Sequence, residues 1–117
     1  MKYPSNCVYQ HKSGTEATVN TAVDGILKVL KHKNGTAVIE IKVRRREALY
    51  MYINQILTGV EANLPKFRAY ISEPIPVISA ALERCCVDMT DWYKANNKDK
   101  QTIGYYKISI SIEDLVL

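Results

Sequence analysis

The stretch Thr36–Val60, TAVIEIKVRRREALYMYINQILTGV, holds the clearest strand pattern and the clearest helix pattern of the chain. Its first part alternates apolar and polar residues and is rich in β-branched side chains, which is typical of a half-buried strand. Its last part repeats apolar residues every three or four positions, which indicates a helix with one apolar stripe. That stripe consists of Leu49, Ile53, Ile56 and Val60. We therefore predict a strand over 36–43 and a helix that ends before Pro65, since a proline disfavours helical geometry at the residue before it.

Between the strand and the helix stand Arg44, Arg45 and Arg46, here called the arginine triplet. Cations beside a helix N-terminus oppose the helix dipole, at a cost of about 0.3–1 kcal/mol per exposed charge. Three interpretations stay open: a solvated strand end with Glu40 and Glu47 as partial partners, a site for a polyanion, or a site for an acidic protein surface.

The segment 16–32, EATVNTAVDGILKVLKH, fits two structures. A helical stripe runs through it, but Gly25 and several Val and Thr residues lower its helix propensity. Asp24-Gly25 and Asn34-Gly35 are both hairpin dipeptides. We favour an antiparallel meander with strands at 17–23, 26–32 and 36–43.

Beyond the helix, alternation predicts a short strand over Phe67–Ile71 and a last strand over Ile103–Ile112. Between them, apolar residues at helical spacing predict a helix over Pro76–Ala95. The predicted order is βββαβαβ, a two-layer α+β domain over 16–117 with its helices packed on one sheet face. Residues 1–15 lack a period and are predicted to form an N-terminal arm. The apolar end of the chain, Leu115-Val116-Leu117, is expected to dock on its own domain or on a neighbouring subunit.

Composition places the chain among ordinary globular domains, with 117 residues and a net charge of +4. Residues 1–46 hold nine Lys/Arg and three Asp/Glu, a balance of +6, whereas residues 47–117 hold seven and nine, a balance of −2. This asymmetry suits a phosphate-bearing partner or self-association. No apolar run reaches the roughly 20 residues that a membrane span needs, and no secretory signal is recognisable at the N-terminus, so we expect a cytoplasmic protein without a membrane partner.

The cysteines, Cys7, Cys85 and Cys86, match neither a disulfide framework nor a zinc motif, and at least one of the adjacent pair is expected to face the core. His11 and His32 are too isolated to indicate a metal or acid–base site. No complete catalytic signature and no cofactor motif are present, so we expect a binding protein and not an enzyme.

The predicted element order is similar to that of the ribonuclease H-like fold, whose members gather acidic residues around magnesium ions. That resemblance implies Asp24, Glu47 and Glu73 as metal ligands. The residues themselves favour a role as surface or helix-capping acids. Glu73-Pro74 resembles a helix start, and Asp24 stands at a predicted turn.

Tyrosines and cations share the sheet face opposite the apolar one. The predicted ligand-binding residues are Lys42, Arg44, Arg45, Arg46, Arg68, Tyr70, Tyr105 and Lys107. An exposed sheet face with rings and cations can stack bases and pair phosphates. We therefore expect a small basic protein that binds nucleic acid or a nucleotide. The alternative is a homo-oligomeric structural or inhibitory module of a virus or mobile element, whose tyrosines pack against another subunit or a protein partner.

Overall fold

The computed structural model describes residues 8–12, 16–96 and 104–115. Strands and helices alternate irregularly along the chain. The elements are β1 (Val8–Lys12), α1 (Glu16–His32), β2 (Thr36–Val43), α2 (Arg46–Ala62), α3 (Leu64–Arg68), α4 (Pro74–Arg84), β3 (Cys86–Asp88), α5 (Thr90–Asn96), β4 (Gly104–Ser111) and α6 (Ile112–Leu115).

The strands form one sheet in the order β1-β2-β4-β3. β1 runs parallel to β2, with α1 as the crossover between them, whereas β4 runs antiparallel to both β2 and β3. The α+β class is thus confirmed. The predicted βββαβαβ order is wrong. Helix α1 occupies most of the predicted meander, and three helices, α2, α3 and α4, stand between β2 and β3.

The segment 16–32 is a helix, and the meander prediction was wrong. The helical stripe Val19, Val23, Ile26 and Leu30 is buried against the sheet and α2. Burying such a stripe outweighs the modest helix penalties of Val, Thr and Gly. Asn34-Gly35 joins this helix to β2 and makes no hairpin. Both Lys33, at φ 55°, and Gly35, at φ 91°, adopt left-handed backbone geometry there.

The core lies between the sheet and a layer formed by α1, α2 and α4. β2 and β4 contribute alternate residues to it, and Ile39 lies opposite Ile108 in their register. The faces predicted for 36–43 are therefore confirmed, as is the helix after it. α1 and α2 approach closely at Gly59, where an added Cβ would lie 2.7 Å from Cγ2 of Val23.

Two elements of the second half differ from the prediction. Phe67–Ile71 is not a strand: Phe67 is fully buried on α3, and the chain turns after that helix. Pro76–Ala95 is not one helix, because α4 ends at Arg84 and β3 follows. The reason is non-local: the backbone of 86–88 pairs with β4 at the sheet edge, and α5 begins only afterwards.

The last strand is confirmed as β4, and a short helix caps it. The Asp114 side chain caps the start of this helix, because the Ser111 N–H donates to Asp114 Oδ2 at 2.8 Å. Leu115 is buried in the domain's own core. Residues 116–117 lie outside the described residues.

Within the predicted arm 1–15, residues 8–12 form β1, and the remainder lies outside the described residues. The division into arm and domain stays a prediction. Among the described residues, no helix is both long and apolar enough to cross a bilayer.

Candidate ligand-binding site at the basic end of the sheet

Four cations, Lys42 and the arginine triplet, lie at one end of the sheet. There β2 ends and β4 begins, since Val43 pairs with Gly104, and β3 ends where Asp88 pairs with Tyr106. The arginine triplet follows β2 directly, and its three side chains are exposed. We call this region the basic end.

Three aromatic rings lie on the sheet face opposite the core at this end. The Tyr105 ring stacks on Trp92, with centroids 5.9 Å apart, and on Tyr93, with centroids 5.4 Å apart. Tyr105 is only 5% exposed, whereas Trp92 is 53% exposed. We call Trp92, Tyr93 and Tyr105 the ring platform, since the buried Tyr105 ring supports the exposed indole on one contact and Tyr93 on another.

A lysine stands over this platform. The Nζ atom of Lys42 lies 5.1 Å from the Tyr93 ring centroid and 5.8 Å from that of Tyr105. At such distances the ammonium group is attracted by the ring faces. The Lys42 side chain is nevertheless exposed, so its charge remains accessible to an anion from solvent.

The platform depends on a hydrogen-bond network that holds α5 against β4. Thr90 donates both its N–H, at 2.9 Å, and its hydroxyl to Oδ1 of Asp88. The Thr90 hydroxyl also accepts the Tyr105 N–H at 3.2 Å, and the Met89 N–H donates to the Tyr105 carbonyl at 2.7 Å. The two Thr90 hydrogen bonds lower the pKa of Asp88, with smaller contributions from Arg46 and Lys94.

The Glu40 carboxylate lies beside the platform and helps to keep the Tyr105 hydroxyl protonated. Burial raises the pKa of Tyr105, and the Glu40 carboxylate, which accepts a hydrogen bond from the tyrosine hydroxyl, raises it further. Glu40 also lies opposite Lys107 in the register of β2 and β4. A phenol that stays protonated at neutral pH keeps the platform uncharged, and the surrounding cations supply the electrostatic attraction.

The structure brings together most of the predicted site residues. Lys42, Tyr105 and Lys107 share the sheet face opposite the core, where the α5 rings cover Tyr105, and the arginine triplet adjoins its end. Arg68 and Tyr70 do not belong there, because their predicted strand is α3 and the turn after it. Whether any of these residues binds a ligand stays a prediction.

Sequence reasoning missed Trp92 and Tyr93, which it assigned to one continuous helix over Pro76–Ala95. The break before α5 moves both rings to the opposite sheet face, where they stack on Tyr105, so the prediction that the helices pack on one sheet face is wrong for α5. Asp88-Met89-Thr90 carried a signal for this break, because an Asp whose carboxylate bonds the backbone two residues on is a common turn former.

A cleft of about 520 Å³ opens on the helix side of the same end. Because Tyr105 and Tyr106 are consecutive strand residues, their side chains point to opposite faces, and Tyr106 lines this cleft. Arg46, Glu83 and Asp88 supply its charges.

Cys86 also lines the cleft. Burial and then Asp88 raise the pKa of its thiol, although Arg46 opposes them. Both Cys85 and Cys86 pack against the core, which confirms the expected inward-facing cysteine. The Cys86 thiol remains protonated at neutral pH, which argues against a nucleophile there.

The acids implied by the ribonuclease H-like resemblance do not converge. Asp24 forms an ion pair with Lys28 on α1 at 3.0 Å, Glu47 lies in the first turn of α2, and Glu73 precedes α4. Within residues 8–12, 16–96 and 104–115, no group of three potential metal ligands is close enough to hold an ion.

Comparisons of this chain with protein-family models, with curated proteins and with solved structures find no match. Function is therefore inferred from the side chains themselves and from the way the fold groups them.

Proposed function

We propose that this is a non-enzymatic cytoplasmic protein that binds single-stranded nucleic acid or a nucleotide at the basic end. In this proposal a base stacks on Trp92, and Lys42, Lys107 and the arginine triplet pair with phosphates. The observation that carries it is the half-exposed Trp92, supported by Tyr105 and bordered by cations.

The stacking argument rests on the exposure of Trp92. A large ring that is 53% exposed leaves apolar surface in contact with water, and a base that covers it gains about 1–3 kcal/mol. Stacking on the buried Tyr105 ring helps to fix the indole in place, so less rotamer entropy is lost on binding. Every base offers a π face, so this contact alone predicts weak sequence preference.

The phosphate argument rests on Arg44 and Arg45. Both side chains are exposed, and the structure shows an ion pair for neither among the described residues. Guanidinium groups bind phosphate oxygens through paired hydrogen bonds. Since they follow β2 directly, they lie at the same sheet end as the rings and can bind the backbone of a strand whose base reaches Trp92.

Fluorescence anisotropy of labelled oligo(dT) and oligo(U) tests the proposal. Trp92→Ala should weaken binding by about 5- to 150-fold, which is the stacking energy expressed as affinity. Tyr70→Ala is the matched control, because Tyr70 is also exposed, at 43%, but lies in the turn after α3, outside the basic end. Equal affinity of wild type and Trp92→Ala, or no binding at low salt, would contradict the proposal.

A second candidate, the homo-oligomeric interaction module, is favoured by exposed apolar residues outside the platform. Met51 on α2 is 62% exposed, and Val87 on the edge strand β3 is 54% exposed. Edge strands offer unpaired backbone groups to another chain. Light scattering distinguishes the candidates: this one requires an oligomer that Val87→Lys or Met51→Lys dissociates, whereas a monomer at micromolar concentration contradicts it.

A further inference from the structure

A second cavity lies at the sheet end remote from the arginines. It has a volume of about 530 Å³ and lies between the end of α1, the turn at 69–72, α4 and α6. Small-ligand pockets span roughly 300–1,000 Å³, so its size suits a small molecule. The eight residues of β2 separate it from the basic end by about 23 Å, at about 3.3 Å per residue.

The interior of this cavity is apolar. Leu30 and Leu115, both buried, are among its lining residues. Its walls are three half-buried aliphatic residues that pack against the core, namely Ile71, Val77 and Ile112. Covering such half-buried surface with an apolar ligand is favourable, because it removes apolar side-chain surface from water.

The rim has one sign of charge. Lys33 is the only charged residue among the described residues that line the cavity, and its side chain is exposed. Its backbone is fixed at the end of α1, where its N–H donates to the Val29 carbonyl at 2.9 Å. Tyr70 and Ser72 add hydroxyl groups that can donate hydrogen bonds.

We propose that this cavity binds an amphipathic monoanion, an apolar chain that ends in one carboxylate. The chain enters between Ile71, Val77 and Ile112, and the carboxylate pairs with Lys33. A lining without carboxylates repels no anion, and a single ammonium group matches a single negative charge. The basic end, with several cations, suits polyanions instead.

Calorimetric titration with hexanoate, octanoate, decanoate and dodecanoate, each below its micelle concentration, tests the size of the cavity. Affinity should rise about fourfold for each added methylene, the ratio that corresponds to burying one such group. It should stop rising once the cavity is full. Absence of heat with every acid at two well-separated temperatures would overturn the proposal, because the heat-capacity change of apolar burial makes binding visible at one of them. A rise that never levels off would also overturn it, since it indicates adsorption to the surface.

A comparison of decanoate with decanol, whose hydroxyl replaces the carboxylate, tests whether Lys33 pairs with the ligand's charge. Lys33→Met should weaken decanoate severalfold but leave decanol unchanged, because decanol has the same chain without the charge. Lys31→Met is the matched control, since Lys31 is exposed on the same helix and does not line the cavity. If both variants weaken decanoate equally, the site is elsewhere.

Three further experiments test which molecule occupies the cavity. Val77→Phe fills the cavity and should abolish decanoate binding but retain oligonucleotide binding; if this variant does not fold, the comparison of Lys33→Met with Lys31→Met decides alone. Recruitment to phosphatidylglycerol vesicles without binding of free decanoate would overturn the proposal. So would binding only after removal of Val116 and Leu117, because the chain's own end would then be the occupant.

Discussion

The two ends of the sheet show how one fold can carry two different surfaces. The end where β2 stops carries arginines, lysines and stacked rings, whereas the end where β2 starts opens into an apolar cavity with one lysine at its rim. The interior residues of β2 and β4 are aliphatic at both ends except for Tyr106. The difference comes from the residues just outside the strands, where side chains are not committed to the core.

The largest effect should come from neutralising the arginine triplet. Arg44→Ala, Arg45→Ala and Arg46→Ala together should lower oligonucleotide affinity at low salt by at least about tenfold, because fewer counterions are released. The slope of log affinity against log salt should fall by about 3. Filter binding across a salt series measures both.

The matched control removes the same charge far from the basic end. Lys31→Ala, Lys66→Ala and Arg68→Ala are exposed positions that adjoin neither the ring platform nor the triplet. Their triple variant should keep the wild-type salt slope. A loss as large as that of the arginine variant would show that net charge, and not the basic end, attracts the nucleic acid.

The helix layer is common to both ends, and Gly59 tests it. Gly59→Ala should lower the free energy of unfolding by about 1–3 kcal/mol, because its Cβ would lie 2.7 Å from the stiff Val23 side chain. Urea denaturation measures the change, with exposed Thr58→Ala as control. An unchanged or higher stability would show that α1 and α2 separate easily there.

Much of this organisation was predictable where local and tertiary signals agree. β2 and α2 were predicted correctly because the spacing of apolar residues in each segment matches the face that the element buries. α1 was predicted wrongly, since the burial of Val23 and Ile26 outweighs the local preference of Val, Thr and Gly. In the site, Lys42, Tyr105 and Lys107 followed from strand alternation. Trp92 and Tyr93 did not, because their position depends on pairing between β3 and a strand many residues later.

A smaller effect should come from loosening α5. Thr90→Val removes the hydroxyl that bonds both Asp88 and the Tyr105 N–H. Oligonucleotide affinity should fall severalfold and decanoate affinity should stay constant, because only one end is altered. The matched control is Thr58→Val, whose hydroxyl bonds only a carbonyl of its own helix. Equal oligonucleotide affinity in both variants would show that the platform does not need this network.

The smallest effect should be a pH dependence confined to the basic end. The folded-state pKa of Asp88 is lower than its ordinary value of 3.8, so its carboxylate stabilises the fold above that value. This contribution should be lost as the pH falls through 3.8 towards the lower folded-state pKa. Thermal unfolding of wild type and Asp88→Asn measures it, and the difference between them should shrink in acid. A constant difference would contradict the assignment.

The most direct test of the central claim, that bases stack at the basic end, uses the single tryptophan of the chain. Intrinsic fluorescence is recorded while unlabelled oligo(dT) is added at low and at high salt. We predict strong quenching that saturates at low salt and weakens at high salt, because the base covers Trp92 and the phosphates bind cations. Binding detected by anisotropy with no change in Trp92 emission would place the nucleic acid elsewhere and contradict the account.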